Sequence, residues 1–212
     1  ENNEGKKDIM RLETHLQEMI AETILKENKE ERDNHVSSGK LTAGMLGQPL
    51  QWQILKIIGV PGKDMDEYTL RKFKRGNHVE EWVMSHINAV DMQVEVNYRN
   101  CIGIIDAIVD TKDWDFKIGV IPHEIKSVTN AKFKRISKEK EADKSHKLQA
   151  GLYALALEST SYAIDYVATD DYRIMTYIYN TKDIKEEVKK LWESLPVEAK
   201  NPRYKRSLKC LK

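Results

Sequence analysis

In the first part of the chain, apolar residues recur every three to four positions, which is the spacing of one helical face. This spacing predicts a helix over residues 6–29, one or two short helices within residues 41–58, and a second long helix from residue 66 to about residue 88. Glycine and proline in residues 59–63 predict a loop before the second long helix. The N-terminal part of the chain is therefore expected to be helical.

The pattern changes after the second long helix. Five segments have the alternating or continuous apolar residues of strands, namely residues 93–98, 101–109, 117–128, 161–168 and 173–179. Helical spacing returns in two segments, residues 138–158 and residues 181–195. This order of elements predicts an α/β fold with a central mixed sheet of about four or five strands flanked by helices.

The length of 212 residues fits one domain, and neither a linker nor an internal repeat interrupts the pattern. We predict a single domain over residues 1–212. Within it, residues 1–35 hold the N-terminal helix, residues 36–180 the core, and residues 181–212 the last helix and a basic tail.

Composition and charge narrow the class of protein. Hydrophobic residues make up 40% of the chain and charged residues 33%, and no run approaches the ~18 apolar residues of a bilayer span, so no membrane partner is expected. The net charge is only +1, but basic residues cluster in residues 71–75, 132–147 and 200–212. These clusters fit a polyanionic partner, and they equally fit solvated helix faces. Cys101 and Cys210 have no metal-ligand spacing, and such sparse cysteine indicates a cytoplasmic, reducing environment.

Three of the charged residues inside the predicted strands carry candidate chemistry. Asp106 lies inside the apolar run of residues 101–109, and a buried carboxylate needs a cation, a hydrogen-bond network or a metal as its partner. Glu124 and Lys126 are two residues apart in the next strand, so they share a face, whereas Ile125 points into the core. A turn joins the two strands, and antiparallel pairing would bring the carboxylates together.

Two neighbouring carboxylates repel each other and raise one pKa unless a cation lies between them. A hard divalent ion such as Mg²⁺ accepts oxygen ligands and keeps positions for water and phosphate. Lys126 beside such an ion could orient or activate a water and stabilise negative charge that develops on a phosphate. These parts suit the hydrolysis of a phosphodiester bond.

The order Asp106, then Glu124-x-Lys126, resembles the D…E-x-K signature of the PD-(D/E)XK nuclease superfamily. Ile105 stands where the superfamily's name has proline, a departure that is common there. The resemblance covers roughly residues 36–179 and implies a restriction-endonuclease-like core. It makes residues 36–180 a nuclease core and predicts one nuclease domain for the whole chain.

Two flanking motifs extend the resemblance to the RecB-type and phage-exonuclease-like branch. Gln149 and Tyr153 match its Q-x-x-x-Y helix motif, and their spacing puts them on one helical face. Upstream, residues 71–80 resemble the family's first helix motif, in which a glycine precedes a metal-facing Glu or His by four residues. Gly76 plus four is Glu80, which we favour. His78 is the competitor, at an offset that points to the opposite side of the helix.

The resemblance implies roles for these residues. Glu80, Asp106, Glu124 and the backbone carbonyl of Ile125 would hold Mg²⁺ or Mn²⁺, and Lys126 would assist the attacking water. Gln149 and Tyr153 would position the scissile strand or Lys126. Four cysteines bind an iron–sulfur cluster in some RecB-type nucleases, and two cannot, so no cluster is expected.

The function expected from the resemblance is metal-dependent cleavage of DNA by an exonuclease of bacterial or phage origin, acting in recombination, repair, or phage and defence DNA processing. A junction-resolvase-like endonuclease, a nucleic-acid-binding module without catalysis and a purely structural subunit remain alternatives. The chain has no G-x-x-x-x-G-K-[ST] loop, so ATP-driven unwinding would need another subunit. A helicase, an annealing protein or a second copy of the chain remain possible partners.

Other side chains are assigned by position. The residues expected to contact DNA are Arg71, Arg75, Lys132, Lys134, Arg135, His146 and Lys147. His123 should face away from the metal and have a structural role. Trp52, Trp82 and Trp192 are expected in the core, whereas Trp114, in the hairpin turn, would either pack or stack on a base.

Overall fold

A mixed sheet of six strands lies at the centre of a computed structural model that describes residues 4–34, 39–60, 62–114 and 118–194. The strands are β1 (Leu41–Thr42), β2 (Asp91–Tyr98), β3 (Cys101–Asp110), β4 (Val120–Val128), β5 (Ser161–Ala168) and β6 (Ile174–Asn180). The helices are α1 (Glu4–Asn34), α2 (Leu50–Ile57), α3 (Glu67–Met84), α4 (Asn130–Glu139), α5 (Lys144–Ala156) and α6 (Thr181–Ser194). The predicted start of the third strand at Lys117 and the basic tail at residues 200–212 lie outside the described residues.

The strand order is β1-β3-β4-β5-β6, and β2 also pairs with β3. The β2–β3, β3–β4 and β5–β6 pairs are antiparallel, whereas β1–β3 and β4–β5 are parallel. The predicted α/β fold with a mixed sheet flanked by helices is therefore confirmed. The sheet has six strands, where four or five were expected; β1, which the sequence did not reveal, is only two residues long and too short to show alternation.

The predicted helix over residues 138–158 is wrong in its extent. The structure has two helices there, α4 and α5, and Lys140 between them adopts a left-handed φ of 54° that ends α4. Thr129 caps the start of α4, where its hydroxyl oxygen accepts from the Lys132 N–H at 3.3 Å. Only Phe133 and Ile136 of α4 are buried, so its apolar stripe is too thin for sequence periodicity to reveal.

Two apolar clusters cover the two faces of the sheet. The larger one joins β3, β5 and the start of β1 to α4, α5 and α6, with the rings of Tyr153, Tyr162 and Tyr166 among its members. The smaller one, on the other face, joins Ile125 and Val167 to residues 76–84 of α3. Trp82 and Trp192 pack against these clusters, as predicted, but Trp52 is 41% exposed, so its predicted core position is wrong.

The chain separates into two compact units by its contacts. One contains α1 and residues 62–75, and the other contains residues 39–60 and 76–194. Within the first unit, Arg32 forms an ion pair with Asp64 and donates to the Gly62 carbonyl at 3.0 Å, and Lys74 pairs with Glu27. The prediction of one nuclease domain over the whole chain stays a prediction.

Candidate active site

Strands β3 and β4 separate at Asp106, and this fork is the centre of the candidate active site. Their antiparallel pairing ends at Ala107 and His123, so the next residues, Asp106 and Glu124, lie where the strands part. Asp106 Oδ2 accepts a hydrogen bond from the Ile125 N–H at 2.7 Å. The carboxylate thereby satisfies a backbone donor that the interrupted ladder leaves without a strand partner.

Strand alternation then orients the residues of β4. Ile125 is buried in the cluster beneath α3, whereas Glu124 and Lys126 form an ion pair with each other. Glu124 is only 1% exposed, and its Oε2 has no hydrogen-bond partner among the described residues. Lys126 keeps 29% of its side chain exposed, and its ammonium contacts the buried Glu124 carboxylate. A buried carboxylate with a free oxygen is a ligand for a cation.

The pKa values show how crowded the negative charge is. Burial, followed by the charges of Glu124 and Glu80, raises the pKa of Asp106 to about 8. Burial also raises the pKa of Glu124, although Lys126 acts against it. Burial lowers the pKa of Lys126, but the carboxylates of Glu124 and Asp106 outweigh burial and leave that pKa above its ordinary value. Three carboxylates therefore share one ammonium, and the site favours additional positive charge.

Glu80 approaches this fork from α3. At Gly76, an added Cβ would lie 3.3 Å from Ser127 Oγ, so the helix packs closely on β4 one turn before Glu80. Glu80 is half-buried and influences the pKa values of the three central residues, whereas His78 is exposed. The helix thus presents Glu80 towards Asp106, and the metal-facing role preferred for Glu80 from the sequence stays a prediction.

Gln93 is a site residue that sequence reasoning missed. Its Nε2 donates to Glu80 Oε1 at 3.1 Å, and its φ of 53° is unusual for a residue inside a strand. The neighbouring pairs Met92–Ala107 and Val94–Ile105 leave Gln93 in register with Asp106, without a ladder pair of its own. Sequence alternation gave no signal, because a left-handed residue within a strand depends on its tertiary surroundings.

Gln149 and Tyr153 meet on α5 as the motif predicts, with Gln149 Nε2 donating to the Tyr153 hydroxyl oxygen at 2.9 Å. Tyr153 is 2% exposed, and burial, followed by the charge of Glu124, raises its pKa, so the hydroxyl keeps its proton. A Cβ at Gly103 would lie 2.4 Å from Tyr153 Cε1, so the ring rests on a position that requires glycine. A glycine inside a predicted strand is the signal that could have indicated this contact.

A cleft of about 380 Å³ opens beside this pair. It is lined by residues of β1, β2 and β3 together with Gln149 and Tyr153. Gly44 and Glu95 lie on its walls, and Glu95 is exposed to solvent. The cleft borders β3, the strand that also carries Asp106.

Most of the basic residues predicted to contact DNA are held in ion pairs. Lys132 and Arg135 contact Asp143 at 2.7 and 2.8 Å, Arg135 also contacts Glu139 at 2.6 Å, Lys147 contacts Glu141 at 2.5 Å, and Arg71 pairs with Glu67. Lys134 and Arg75 are exposed. The role of all these basic residues in DNA binding, whether they are paired or exposed, stays a prediction.

His146 does not carry a charge at neutral pH. Burial, then the charges of Lys126 and Lys132, lower its pKa to about 4. Its Nδ1 lies 2.8 Å from the Tyr166 hydroxyl, which itself accepts from the Asp143 N–H at 3.0 Å. A neutral ring at this position can contact a phosphate by hydrogen bonding alone.

The described residues contain neither a preformed metal cluster nor a membrane-spanning helix. No three His, Cys, Asp or Glu side chains there are spaced as a preformed metal site. At the fork, the Lys126 ammonium contacts Glu124, so a cationic group already neutralises part of the charge. Among the described residues, no helix combines the length and the apolar character of a transmembrane span.

The fold matches solved exonuclease structures. LHK-Exo in complex with dAMP aligns with a TM-score of 0.53 and 12% identity, over 82% of this chain and 95% of that one. The alkaline exonuclease LHK-Exo from Laribacter hongkongensis aligns with a TM-score of 0.51 and 13% identity, over 83% and 96%. A phage-related exonuclease from Haemophilus somnus 129PT is less similar, with a TM-score of 0.48, 13% identity and coverage of 82% and 96%.

Identity at this level defines the fold alone. The chain has the α/β fold of these exonucleases, with its mixed sheet and flanking helices. No protein-family model and no curated protein matches the chain.

Proposed function

We propose that the chain is a divalent-metal-dependent nuclease of the PD-(D/E)XK superfamily, of the RecB-type and phage-exonuclease-like branch. Its substrate would be DNA, and its reaction the hydrolysis of phosphodiester bonds from an end. One observation carries the proposal: the strand fork brings the buried carboxylates of Asp106 and Glu124 together with Lys126, and the three groups are electrostatically coupled. The exonuclease fold and the Gln149–Tyr153 pair support it.

The residues at the fork fit a hard divalent cation. Asp106 and Glu124 supply carboxylate oxygens, and one Glu124 oxygen has no hydrogen-bond partner among the described residues. Glu80, with the backbone carbonyl of Ile125, would complete a set of oxygen ligands of the kind that Mg²⁺ and Mn²⁺ accept. When bound, the ion would polarise the phosphate and lower the pKa of a water at the site.

The chain's own side chains would divide the remaining tasks. Lys126 would donate to a non-bridging phosphate oxygen and stabilise the negative charge that develops there. Tyr153, which Gln149 and Gly103 hold in place, would offer its proton to the scissile strand. His146, whose ring is uncharged, would add one further hydrogen bond to the DNA strand besides the one from Tyr153. This division suits phosphoryl transfer, in which positioning and charge stabilisation supply most of the catalysis.

The related structure that contains dAMP shows a nucleotide bound to that protein. For this chain we propose that the 380 Å³ cleft beside Tyr153 receives the end of a DNA strand. Recombination, repair and phage or defence DNA processing are the pathways in which such an activity serves. The resemblance of the Gln149 and Tyr153 motif to exonucleases supports this role.

End-labelled linear DNA and covalently closed circular DNA test the proposal together. With Mg²⁺ or Mn²⁺, linear DNA should be degraded and closed circles should stay intact, whereas EDTA should abolish cleavage. Cleavage that persists in EDTA would contradict the metal site. Rapid nicking of closed circles would instead favour the endonuclease alternative.

Gln93→Ala should weaken metal binding more than it slows the chemistry. Partners of metal ligands typically contribute 10–100-fold to metal affinity, so we expect the half-saturating Mn²⁺ concentration to rise about tenfold. The rate at saturating Mn²⁺ should stay near that of the wild type, because Glu80 itself remains. The measurement is the cleavage rate against Mn²⁺ concentration.

Two further variants make the Gln93 experiment decisive. Gln93→Gly also removes the amide but tolerates the positive φ, so it separates loss of the Glu80 contact from backbone strain. Gln51→Ala, at an exposed position on α2, is the matched control and should behave like the wild type. An unchanged Mn²⁺ dependence in both Gln93 variants would show that Gln93 does not position Glu80.

A further inference from the structure

A second cavity, of about 390 Å³, lies on the face of the sheet that α3 covers. His123 lines it, and strand alternation turns this side chain away from its neighbour Glu124. His123 is only 4% exposed and is absent from the chemistry proposed above. The cavity is therefore separate from the candidate active site.

Three strands supply a hydrogen-bonded relay to this histidine. The Thr176 hydroxyl donates to Asp165 Oδ1 at 2.5 Å, and His123 Nδ1 lies 2.6 Å from Asp165 Oδ2. A carboxylate oxygen can only accept, so the Nδ1 nitrogen carries the proton and donates it. With the Nδ1 proton directed at Asp165, Nε2 is the ring nitrogen that faces the cavity side as an acceptor.

The Nε2 atom of His123 is buried and has no hydrogen-bond partner among the described residues. Burying an acceptor without a donor costs free energy, so such an atom in a cavity wall indicates a ligand that donates to it. The His123 ring is fixed, because Asp165 contacts its Nδ1 and the Trp114 ring packs against it nearly perpendicularly, with the two ring centroids 5.8 Å apart. The acceptor is thus held in one orientation.

The charge of the cavity defines which donor fits. Asp110 and Asp113 line it together with Asp165, and among the described residues none that lines it is Lys or Arg. The Lys112 ammonium is 3.6 Å from Asp110, but its side chain is 70% exposed and outside the lining. Such a wall repels anions, including DNA phosphates, and attracts a cation.

Size and apolar lining separate an organic cation from a metal ion. The indole of Trp114 and four aliphatic side chains form much of the wall. A volume of about 390 Å³ falls within the ~300–1,000 Å³ of small-molecule sites and is far larger than an ion needs. An aromatic ring beside carboxylates is also a favourable place for an ammonium or guanidinium group.

We propose that this cavity binds an organic cation, a primary amine or guanidinium on a short apolar stem, which donates to His123 Nε2 and the aspartates. The stem would lie against Trp114 and the aliphatic wall. The same chemistry can come from a free polyamine-like molecule or from an arginine side chain of a partner protein. The proposal does not depend on nuclease activity.

Calorimetric titration in EDTA tests the proposal, with agmatine, butylamine and Nα-acetylarginine amide as cations and butyrate as the matched anion. Each cation should bind saturably with one site per chain, and butyrate should not bind. Tighter binding of agmatine assigns the site to a free molecule, and tighter binding of Nα-acetylarginine amide assigns it to a partner's side chain.

Variants connect the binding to this cavity. Asp113→Asn, at an exposed position that should not disturb folding, should weaken cation binding at least about tenfold, as expected for the loss of one charged hydrogen bond. His123→Phe should weaken cation binding similarly, because phenylalanine places an aromatic ring in the same space but has no Nε2 acceptor. Asp91→Asn, an exposed aspartate of β2 outside the cavity, should have no effect.

Three results would overturn the proposal. The first is that none of the cations binds saturably at concentrations up to ~10 mM, which is well above the ~1 mM dissociation constant of a marginal ligand. The second is binding that Asp113→Asn leaves unchanged. The third is one-to-one binding of Zn²⁺ to an Asp106→Asn, Glu124→Gln variant that His123→Phe abolishes, since this would make the cavity a metal site.

Discussion

Asp106→Asn should reduce the rate of DNA cleavage by at least ~100-fold, because removing one group that stabilises transition-state charge already costs about that much. The substitution keeps the shape of the side chain and the oxygen that accepts from Ile125, but it removes a negative charge from the fork. Mn²⁺ affinity should fall with the rate. DNA affinity in EDTA should stay equal at pH 7, where the raised pKa keeps Asp106 largely protonated, and should rise above about pH 8, where the wild type carries the negative charge. The measurements are single-turnover cleavage, Mn²⁺ titration and DNA binding.

The same variant should alter how stability depends on pH. The pKa of Asp106 is raised from 3.8 to about 8 in the folded chain, so the folded state holds a proton that the unfolded state releases. The free energy of unfolding should therefore fall as the pH rises from about 4 to about 8. Asp106→Asn removes this loss, so its melting temperature in EDTA should fall less between pH 5 and pH 8 than that of the wild type.

Asp91→Asn is the control for both measurements, since Asp91 is exposed on the neighbouring strand. It should cleave and melt like the wild type. A wild-type cleavage rate in Asp106→Asn would remove the central carboxylate from the mechanism. An identical pH dependence of melting in both variants would mean that Asp106 ionises without cost in the folded chain.

Lys126→Met should also reduce cleavage by at least ~100-fold, but it should not weaken Mn²⁺ binding. Methionine fills a similar volume without the charge, so it removes the group that would stabilise the phosphate. Glu124, at 1% exposure, then loses its counter-charge, and a buried carboxylate without a partner destabilises the folded state. In EDTA the melting temperature should fall by at least roughly 3 °C.

Mn²⁺ should restore more stability to Lys126→Met than to the wild type, because the ion takes over the role of counter-charge to Glu124. Thermal melting against Mn²⁺ concentration measures this difference. Lys134→Met is the matched control on α4, where it is exposed and expected to touch phosphates. It should weaken DNA binding, flatten its salt dependence by roughly one unit of slope and leave the chemical step unchanged. If Asp106→Asn and Lys126→Met both cleave normally, the active site lies elsewhere.

Local sequence determined the parts of the site that depend on one element. Residues two apart in a strand share a face, which places Glu124 beside Lys126, and residues four apart in a helix do the same for Gln149 and Tyr153. A short polar turn between two apolar runs was enough to predict the antiparallel pairing of β3 and β4. These regularities follow from backbone geometry, so sequence spacing alone reveals them.

The tertiary structure decided what depends on several elements at once. The sequence does not show that β3 and β4 part at Asp106, that Gln93 adopts a left-handed φ opposite it, or that Glu80 meets Gln93. Lys132 and Arg135 appear in the sequence as free charges, but Asp143 binds both in the structure. Ion pairs and strand partners join residues far apart in the chain, and composition does not specify them.

The two faces of β4 show the same division within one strand. Alternation determined that His123 points away from Glu124, and this much was predicted. That Asp165 and Thr176 would lie beside His123 depended on β5 pairing in parallel with β4 and on β6 following β5. The sequence thus set the direction of each side chain along its own strand. Pairing between strands decided its neighbours, because a one-residue shift of register would give each side chain a different partner.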